Sequence, residues 1–198
     1  MPKSFLLAPA TILWKLLETY GHDPEPLFQN HGITPEMMKE PGARASRAVG
    51  DNLWISVAKL IDDPCFGLRA GEIWHPSHLG ALGYAWLASG TLREALNRLE
   101  RYVQVLSNIV DLNIEATQDR LNISVAHAPM SFYIPARADQ FFAIIMSMCR
   151  VNLSPELNPV AVQFIHDAPP CAGDYFAYFK APVTFSAEKN CLGLPIDQ

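Results

Sequence analysis

Between Gly80 and Ser107 the chain reads GALGYAWLASGTLREALNRLERYVQVLS, and the second half of that stretch permits one local structure. Leu92, Ala95, Leu96, Leu99, Tyr102, Val103 and Leu106 recur at helical spacing. At about 100° per residue they share one face roughly 120° wide. Arg93, Glu94, Asn97, Arg98, Glu100, Arg101 and Gln104 fill the rest of the circumference, and only Val105 breaks the pattern. Thr91 followed by Glu94 predicts a capping box. The Thr hydroxyl takes one orphan amide, and the Glu carboxylate returns to the amide of Thr91 itself. The first half, with Ala81, Leu82, Tyr84, Ala85, Trp86 and Leu87, is apolar nearly all round and predicts a buried helix.

Helices also dominate what comes before. Pro9 opens one over residues 8–20, with Ile12, Leu13, Leu16, Leu17 and Tyr20 on one face and Gly21 after it. Asp23-Pro24 and Thr34-Pro35-Glu36 each place a cap before a proline, so two short helices follow. Residues 39–49, KEPGARASRAV, read as loop. Asp51 is expected to cap a fourth helix reaching about Ile61, and Phe66 to Ile73 adds a further helical piece. After Ser107 the period falls from 3.6 to 2. Residues 109–117 and 121–127 alternate around the polar turn Gln118-Asp119-Arg120, which predicts a β-hairpin. A mostly buried helix follows over 136–152, then a strand at 160–165, a short helix at 174–178, a strand at 183–185 and an extended piece at 192–196. The expected fold class is α+β: a helical N-terminal half packed on a small antiparallel sheet with further helices. Residues 1–198 form one domain in this reading, with a helical subregion 1–107 and a mixed subregion 108–198.

Charge and cysteine usage exclude several functions. Contact with nucleic acid needs clustered Lys and Arg. Here 15 basic residues are scattered among 20 acidic ones for a net charge of −5, so this chain by itself is a poor DNA binder. Cys65, Cys149, Cys171 and Cys191 stand alone without a CxxC pair, which argues against zinc and against a disulfide framework. The opening MPKSFLLAPATILWKLLETYG is interrupted by Lys15 and Glu18 and reads as an amphipathic helix, not a signal peptide. No apolar run reaches the length of a membrane span. A cytoplasmic location without membrane contact is expected.

Catalytic patterns are missing. His75 and His78 stand three apart, but Pro76 between them opposes a regular helix, so a polar turn is expected instead of a metal site. His127 and His166 each end a predicted strand, either at a sheet rim where a ligand can reach them or, as is commoner for chain-end histidines, as plain surface residues. There is no GxSxG elbow and no glycine-rich phosphate loop, and Cys149 lies on a buried helix face. No catalytic residue, metal or cofactor is expected. What remains is aromatic surface. PMSFYIP, residues 129–135, puts Phe132 and Tyr133 between prolines above the central helices. With Tyr84, Trp86, Tyr102 and His127 they make a candidate pocket wall. Arg137, at the start of the next helix, is either its charged anchor or a solvent-facing residue.

The order of segments carries a resemblance. GITPEMM (32–38) follows YGHDP (20–24), then come DDPCFGLRAG (62–71), the 80–107 stretch, and VQFIHDAPPCAGDYFAYFKAPVTFSAEKNCLGLP (162–195). Together they resemble the N-terminal effector-binding region of one group of AraC-type transcription regulators, the arabinose-binding-like domain, over essentially the whole chain. The resemblance implies a non-enzymatic sensor that binds a small molecule and forms a homodimer. In such regulators two helix-turn-helix units follow. They are expected to be absent from this chain, so that DNA is reached only through them. The group's effectors are diverse, so arabinose is not implied, and the aromatic wall suggests a partly hydrophobic effector. The outer face of residues 91–107, with Arg93, Asn97, Arg101 and Gln104, is either the dimer interface or plain solvated surface. Lys180, in YFKAPV, departs from the family, which more often has Gly there. Two other readings stand beside the sensor: a dimerisation module without a functional pocket, and a small hydrolase relying on Cys149 or His127.

Overall fold

In the computed structural model, which describes residues 2–127 and 133–196, side-chain caps set the first helices. Helices α1 (Ala10–Thr19), α2 (Pro24–Asn30) and α3 (Pro35–Lys39) follow the predicted turns. Asp23 Oδ1 accepts from the Glu25 amide and Thr34 Oγ1 from the Met37 amide, each just before a proline that has no amide to satisfy. Helix α4 (Arg47–Leu60) starts earlier than expected. Ser46, not Asp51, caps it, through a 3.4 Å bond from the Val49 amide to Ser46 Oγ. Asp51 is thereby left inside the helix, free to hold other groups. The segment read as loop contains β2 (Arg44–Ser46), which pairs antiparallel with β1 (Ser4–Leu6). Three residues are too few to display an alternating pattern, so neither strand shows in the sequence.

A 3-10 turn at Phe66–Arg69, α5 (Ala70–Ile73), a second 3-10 turn at Pro76–Leu79, α6 (Ala81–Leu87) and α7 (Leu92–Leu106) complete the helical half. Helix α7 buries Leu92, Ala95, Leu96, Leu99 and Val103 as predicted. Tyr102 stays 40% exposed and Val105 60%. Thr91 Oγ1 accepts from the Glu94 amide at 3.2 Å, but Glu94 Oε2 takes the amide of Gly90 at 3.0 Å, not that of Thr91. Helix α6 is less enclosed than its composition implies: Leu82, Gly83 and Trp86 are buried while Tyr84 is 56% exposed.

The sheet runs β3-β4-β7-β5-β6, from β3 (Val110–Ala116), β4 (Arg120–His127), β5 (Ala161–Gln163), β6 (Val183–Thr184) and β7 (Asn190–Pro195). Every pairing is antiparallel except β5 with β6. Helix α8 (Pro135–Asn152) packs on α5, α6 and the first 3-10 turn, while its Phe142 meets Phe164 beyond β5 with rings 5.6 Å apart. It therefore lies between the helical half and the sheet, giving the α+β class expected. Helix α9 (Ala172–Phe179) closes on Lys180, which takes the left-handed conformation (φ 52°, ψ 38°) that the family more often gives to Gly. That turn is kept at a cost of about 1 kcal/mol for a Cβ in the left-handed region. Among the described residues no helix is long and apolar enough to cross a membrane.

One expectation is overturned. Cys65 and Cys171 form a disulfide across 106 residues. Spacing rules detect cysteines that are close in sequence, whereas this pair is assembled by packing the first 3-10 turn against the start of α9. Cys149 and Cys191 are free and buried.

Candidate functional site

A cavity of about 190 Å³ lies where β1, α1, α4, α7 and α8 converge. Its walls are apolar: Leu13, Leu53, Trp54, Leu99, Phe141 and Ile144 are typical. Two polar side chains, Arg137 and Gln140, reach it from α8, three residues apart and so on one face, one above the other. Arg137 Nη1 donates to Asp51 Oδ1 at 2.6 Å, and its guanidinium lies 5.8 Å from the centre of the Trp54 ring. Asp51 Oδ2 also accepts from Arg47 Nε at 3.2 Å. Two guanidinium groups thus share one carboxylate, and the cluster carries a net positive charge. Gln140 Oε1 is buried and has no hydrogen-bond partner among the described residues. Leaving such an atom unpaired costs about 1–3 kcal/mol, and the buried Trp74 Nε1, which lines neither cavity, is in the same condition among the described residues.

A second cavity, about 340 Å³, is a groove along α6 and α7 lined by Leu79, Leu82, Ala85, Tyr102 and Val105. Its volume is larger, but among the described residues no charged or amide side chain lines it. The smaller cavity is the better candidate because convergent polar groups on apolar walls are what fix a small ligand.

On the opposite side of α8 a polar cluster is sealed. Asp139 is fully buried. Its Oδ2 accepts from Tyr175 OH at 2.8 Å, and its Oδ1 lies 3.2 Å from His166 Nε2. Burial raises the carboxyl pKa of Asp139, and His166 and Tyr175 oppose that rise. Burial works against a charged His166, but the bonds to Asp139 and to the Asp167 carbonyl, with the charges of both carboxylates, outweigh it and hold the imidazole above its ordinary value. His166 was expected at an accessible sheet rim; it is a buried partner of Asp139 instead. His75 and His78 serve their own turn, with His78 Nδ1 accepting from the His75 amide at 3.2 Å. Burial, with Lys15 and His75 nearby, lowers the His78 pKa to about 4. Asp63, Cys65 and Cys171 also converge, but the two sulfurs are bonded to each other. Burial pushes the Cys149 thiol up to about 12, which keeps it protonated and unreactive.

Residues 21–196 match the family described as the arabinose-binding domain of AraC transcription regulators, N-terminal. The chain belongs to that family. Over 190 residues it is 27% identical to the ornithine utilization regulator of Pseudomonas aeruginosa, covering 96% of this chain and 56% of that one. An uncharacterized HTH-type transcriptional regulator of Mycobacterium tuberculosis is 32% identical over 75 residues, which is 37% of this chain and 22% of the relative. The crystal structure of the transcriptional regulator CdpR from Pseudomonas aeruginosa superposes with a TM-score of 0.61 at 20% identity, over 93% of this chain and 55% of that one. This AraC-type domain spans about half the length of the Pseudomonas aeruginosa regulators it matches.

The AraC domain scatters the aromatic residues singled out in its sequence. Arg137 lines the first cavity and Tyr102 the second. Trp86 is fully buried, lines neither cavity, and donates its indole N–H to the Met148 carbonyl at 3.1 Å. Tyr84 faces solvent. Tyr133 is half-buried with its hydroxyl 3.4 Å from Asn190 Oδ1, and burial raises its pKa. Phe132 lies outside the described residues, as does the His127 side chain; the His127 backbone ends β4. Arg93, Asn97, Arg101 and Gln104 are all exposed on α7; Gln104 Nε2 donates to the Val110 carbonyl and Arg101 lies over the Tyr102 ring. Sequence reasoning missed Trp54, Asp51 and Gln140. Gln140 left a trace, because it shares a face with Arg137 in ARADQFFAII, where Asp139 is the one other polar residue.

Proposed function

We propose that this AraC-type domain senses a small, partly hydrophobic effector in the 190 Å³ cavity and relays its presence through dimerisation to a DNA-binding part of the regulator. The observation that carries this reading is an apolar cavity whose lining includes Arg137 and Gln140 on one helix. Elements from β1 through α8 meet at the cavity, so an occupant contacts several of them at once. Differential affinity between two arrangements of those elements sets the strength of the signal, typically about 1–3 kcal/mol. The exposed face of α7, with Arg93, Asn97, Arg101 and Gln104 beside Tyr102 and Val105, is the surface we assign to the partner copy. The Pseudomonas aeruginosa relative is named for ornithine utilization, but the cavity walls of this chain suit a less polar body.

Thermal unfolding against amines, amino acids, fatty acids and aromatic acids tests the reading. A true effector at a hundred times its dissociation constant adds about 2.7 kcal/mol, or roughly 5–11 °C for a domain of this size. Sedimentation velocity of the wild type and of Val105→Glu tests the interface. Silence from every class of compound, together with a monomer at all concentrations, refutes the proposal.

A further inference from the structure

Of the four cysteines only Cys171 is not buried. It is bonded to Cys65, which is 4% exposed. A domain of 198 residues buries enough surface to hold its fold without a staple. A transcription regulator also works where its DNA is, among thiols that are kept reduced, and a disulfide formed there is usually transient or redox-sensing. This step rests on the family assignment and uses neither cavity.

The surroundings suit the bonded pair and the reduced pair alike. Asp63 Oδ1 accepts from the Cys65 amide at 2.8 Å and Asp63 Oδ2 accepts from the Tyr20 hydroxyl, so the loop carrying Cys65 is held by bonds that do not involve sulfur. Cys65 Sγ lies 3.5 Å from the Cys171 carbonyl oxygen, which leaves the thiol freed by reduction an acceptor within reach. On the far side of the bond α9 is fixed to α8 twice. Tyr175 OH donates to Asp139 Oδ2 at 2.8 Å, and Tyr178 OH to the Ala143 carbonyl at 2.7 Å. The first 3-10 turn sits on the same helix so closely that a Cβ at Gly67 would lie 2.5 Å from the Ala136 carbonyl oxygen. Cutting the disulfide therefore parts the start of α9 from the turn while leaving what holds each of them to α8.

We propose that Cys65–Cys171 is a reversible modification site, a thiol–disulfide couple through which the domain responds to the redox state of low-molecular-weight thiols. A small thiolate attacks the Cys171 sulfur, forms a mixed disulfide with it and expels Cys65 as a thiolate, which takes up a proton. A second small thiolate then attacks the sulfur of the first and releases Cys171, which is protonated in turn. Two small thiols leave as one disulfide, and the protein pair has gained their two electrons and two protons. The reverse sequence, begun by Cys171 on an oxidised small molecule, restores the bond. Attack falls on Cys171 because it is the partly exposed partner. Cys149 and Cys191 are buried, and the Cys149 thiol is pushed up to about 12, so neither competes. In the bonded state the first 3-10 turn and α9 move as one; in the reduced state the start of α9 opens by itself.

The folded protein, equilibrated with graded ratios of reduced to oxidised glutathione, is quenched in acid, unfolded, labelled with N-ethylmaleimide and mapped by mass spectrometry. Cys149 and Cys191 are expected to carry label at every ratio. Cys65 and Cys171 are expected to gain it together as reduced glutathione rises and to lose it when the oxidised form is restored. Hydrogen exchange on the two end states is expected to quicken by about tenfold or more around Cys65 and at the start of α9, and to stay unchanged in the β3–β4 hairpin. Cys65→Ser is expected to capture one glutathione at Cys171, while Cys171→Ser leaves the buried Cys65 unmodified. The reduced wild type serves in place of either variant that fails to fold. A pair that keeps one state at every ratio while the protein is folded overturns the proposal. So does a reduced form whose exchange matches that of the oxidised one, or one whose hairpin opens as readily as α9, since the bond is then passive or a plain staple. Capture of glutathione at Cys65 and not at Cys171 overturns the assigned point of attack. None of these results touches the effector reading, which the thermal shifts test separately.

Discussion

Asp51 holds together the polar edge of the cavity, and its removal has a magnitude that can be worked out. The Arg137–Asp51 contact is short, 2.6 Å, and the two side chains are only 13% and 15% exposed. Hydrogen bonds to charged groups in such settings contribute about 1.5–3 kcal/mol. The Arg47–Asp51 pair is an i, i+4 contact with Arg47 a quarter exposed, worth about 0.3–0.5 kcal/mol. Asp51→Ala therefore costs roughly 2–3.5 kcal/mol, below the 3–5 kcal/mol typical of a fully buried broken pair because water still reaches the guanidinium. Arg137→Met keeps an apolar stem over Trp54 and removes only the charge. A double-mutant cycle followed by urea unfolding, with the slope of the transition unchanged, is expected to show a coupling of about 1.5–2.5 kcal/mol between the two positions. A coupling below about 0.5 kcal/mol would mean that Arg137 is not restrained by Asp51, and the account of the cavity's charge would fail.

Two further outcomes are expected. Both His166 and Asp139 have raised pKa values, so the native state binds more protons than the unfolded one over the intervals of these shifts. The His166 contribution is full below its unfolded value of 6.5 and is lost as pH rises through the higher folded one; melting temperatures should fall over that range, and Asp139→Asn should flatten the decline. Reduction of Cys65–Cys171 releases a loop of 106 residues, which in the chain-entropy treatment withdraws up to about 4.7 kcal/mol. A melting temperature insensitive to reductant, matched by an unaltered Cys65→Ser/Cys171→Ser variant, would show that the cross-link adds nothing.

Local patterns were legible because local physics wrote them. The face of α7, the caps at Asp23 and Thr34, the hairpin of β3 and β4 and the helix α8 all rest on neighbours within a few residues. The site was harder to read because its parts come from distant segments. Asp51 looks like a helix cap until Ser46 takes that role, and only the packing of α4 on α8 brings it to Arg137, 86 residues away. The same holds for His166 with Asp139 and for the two bonded cysteines. Aromatic content misled for a related reason. Composition cannot separate an indole whose N–H is already spent, as in Trp86, from one that borders a void, as in Trp54.

Asp139 and Gln140 are consecutive on α8, yet one belongs to a sealed carboxylate knot and the other borders the apolar cavity. Successive positions on a helix point about 100° apart, so turning α8 by a single step would swing an ionisable acid into a greasy hole and pull the imidazole's partner away. Nothing of comparable energy rewards that rotation. The cylinder is therefore keyed in its socket by two incompatible neighbours, and a guest pressing on its amide flank meets an axle that resists twisting.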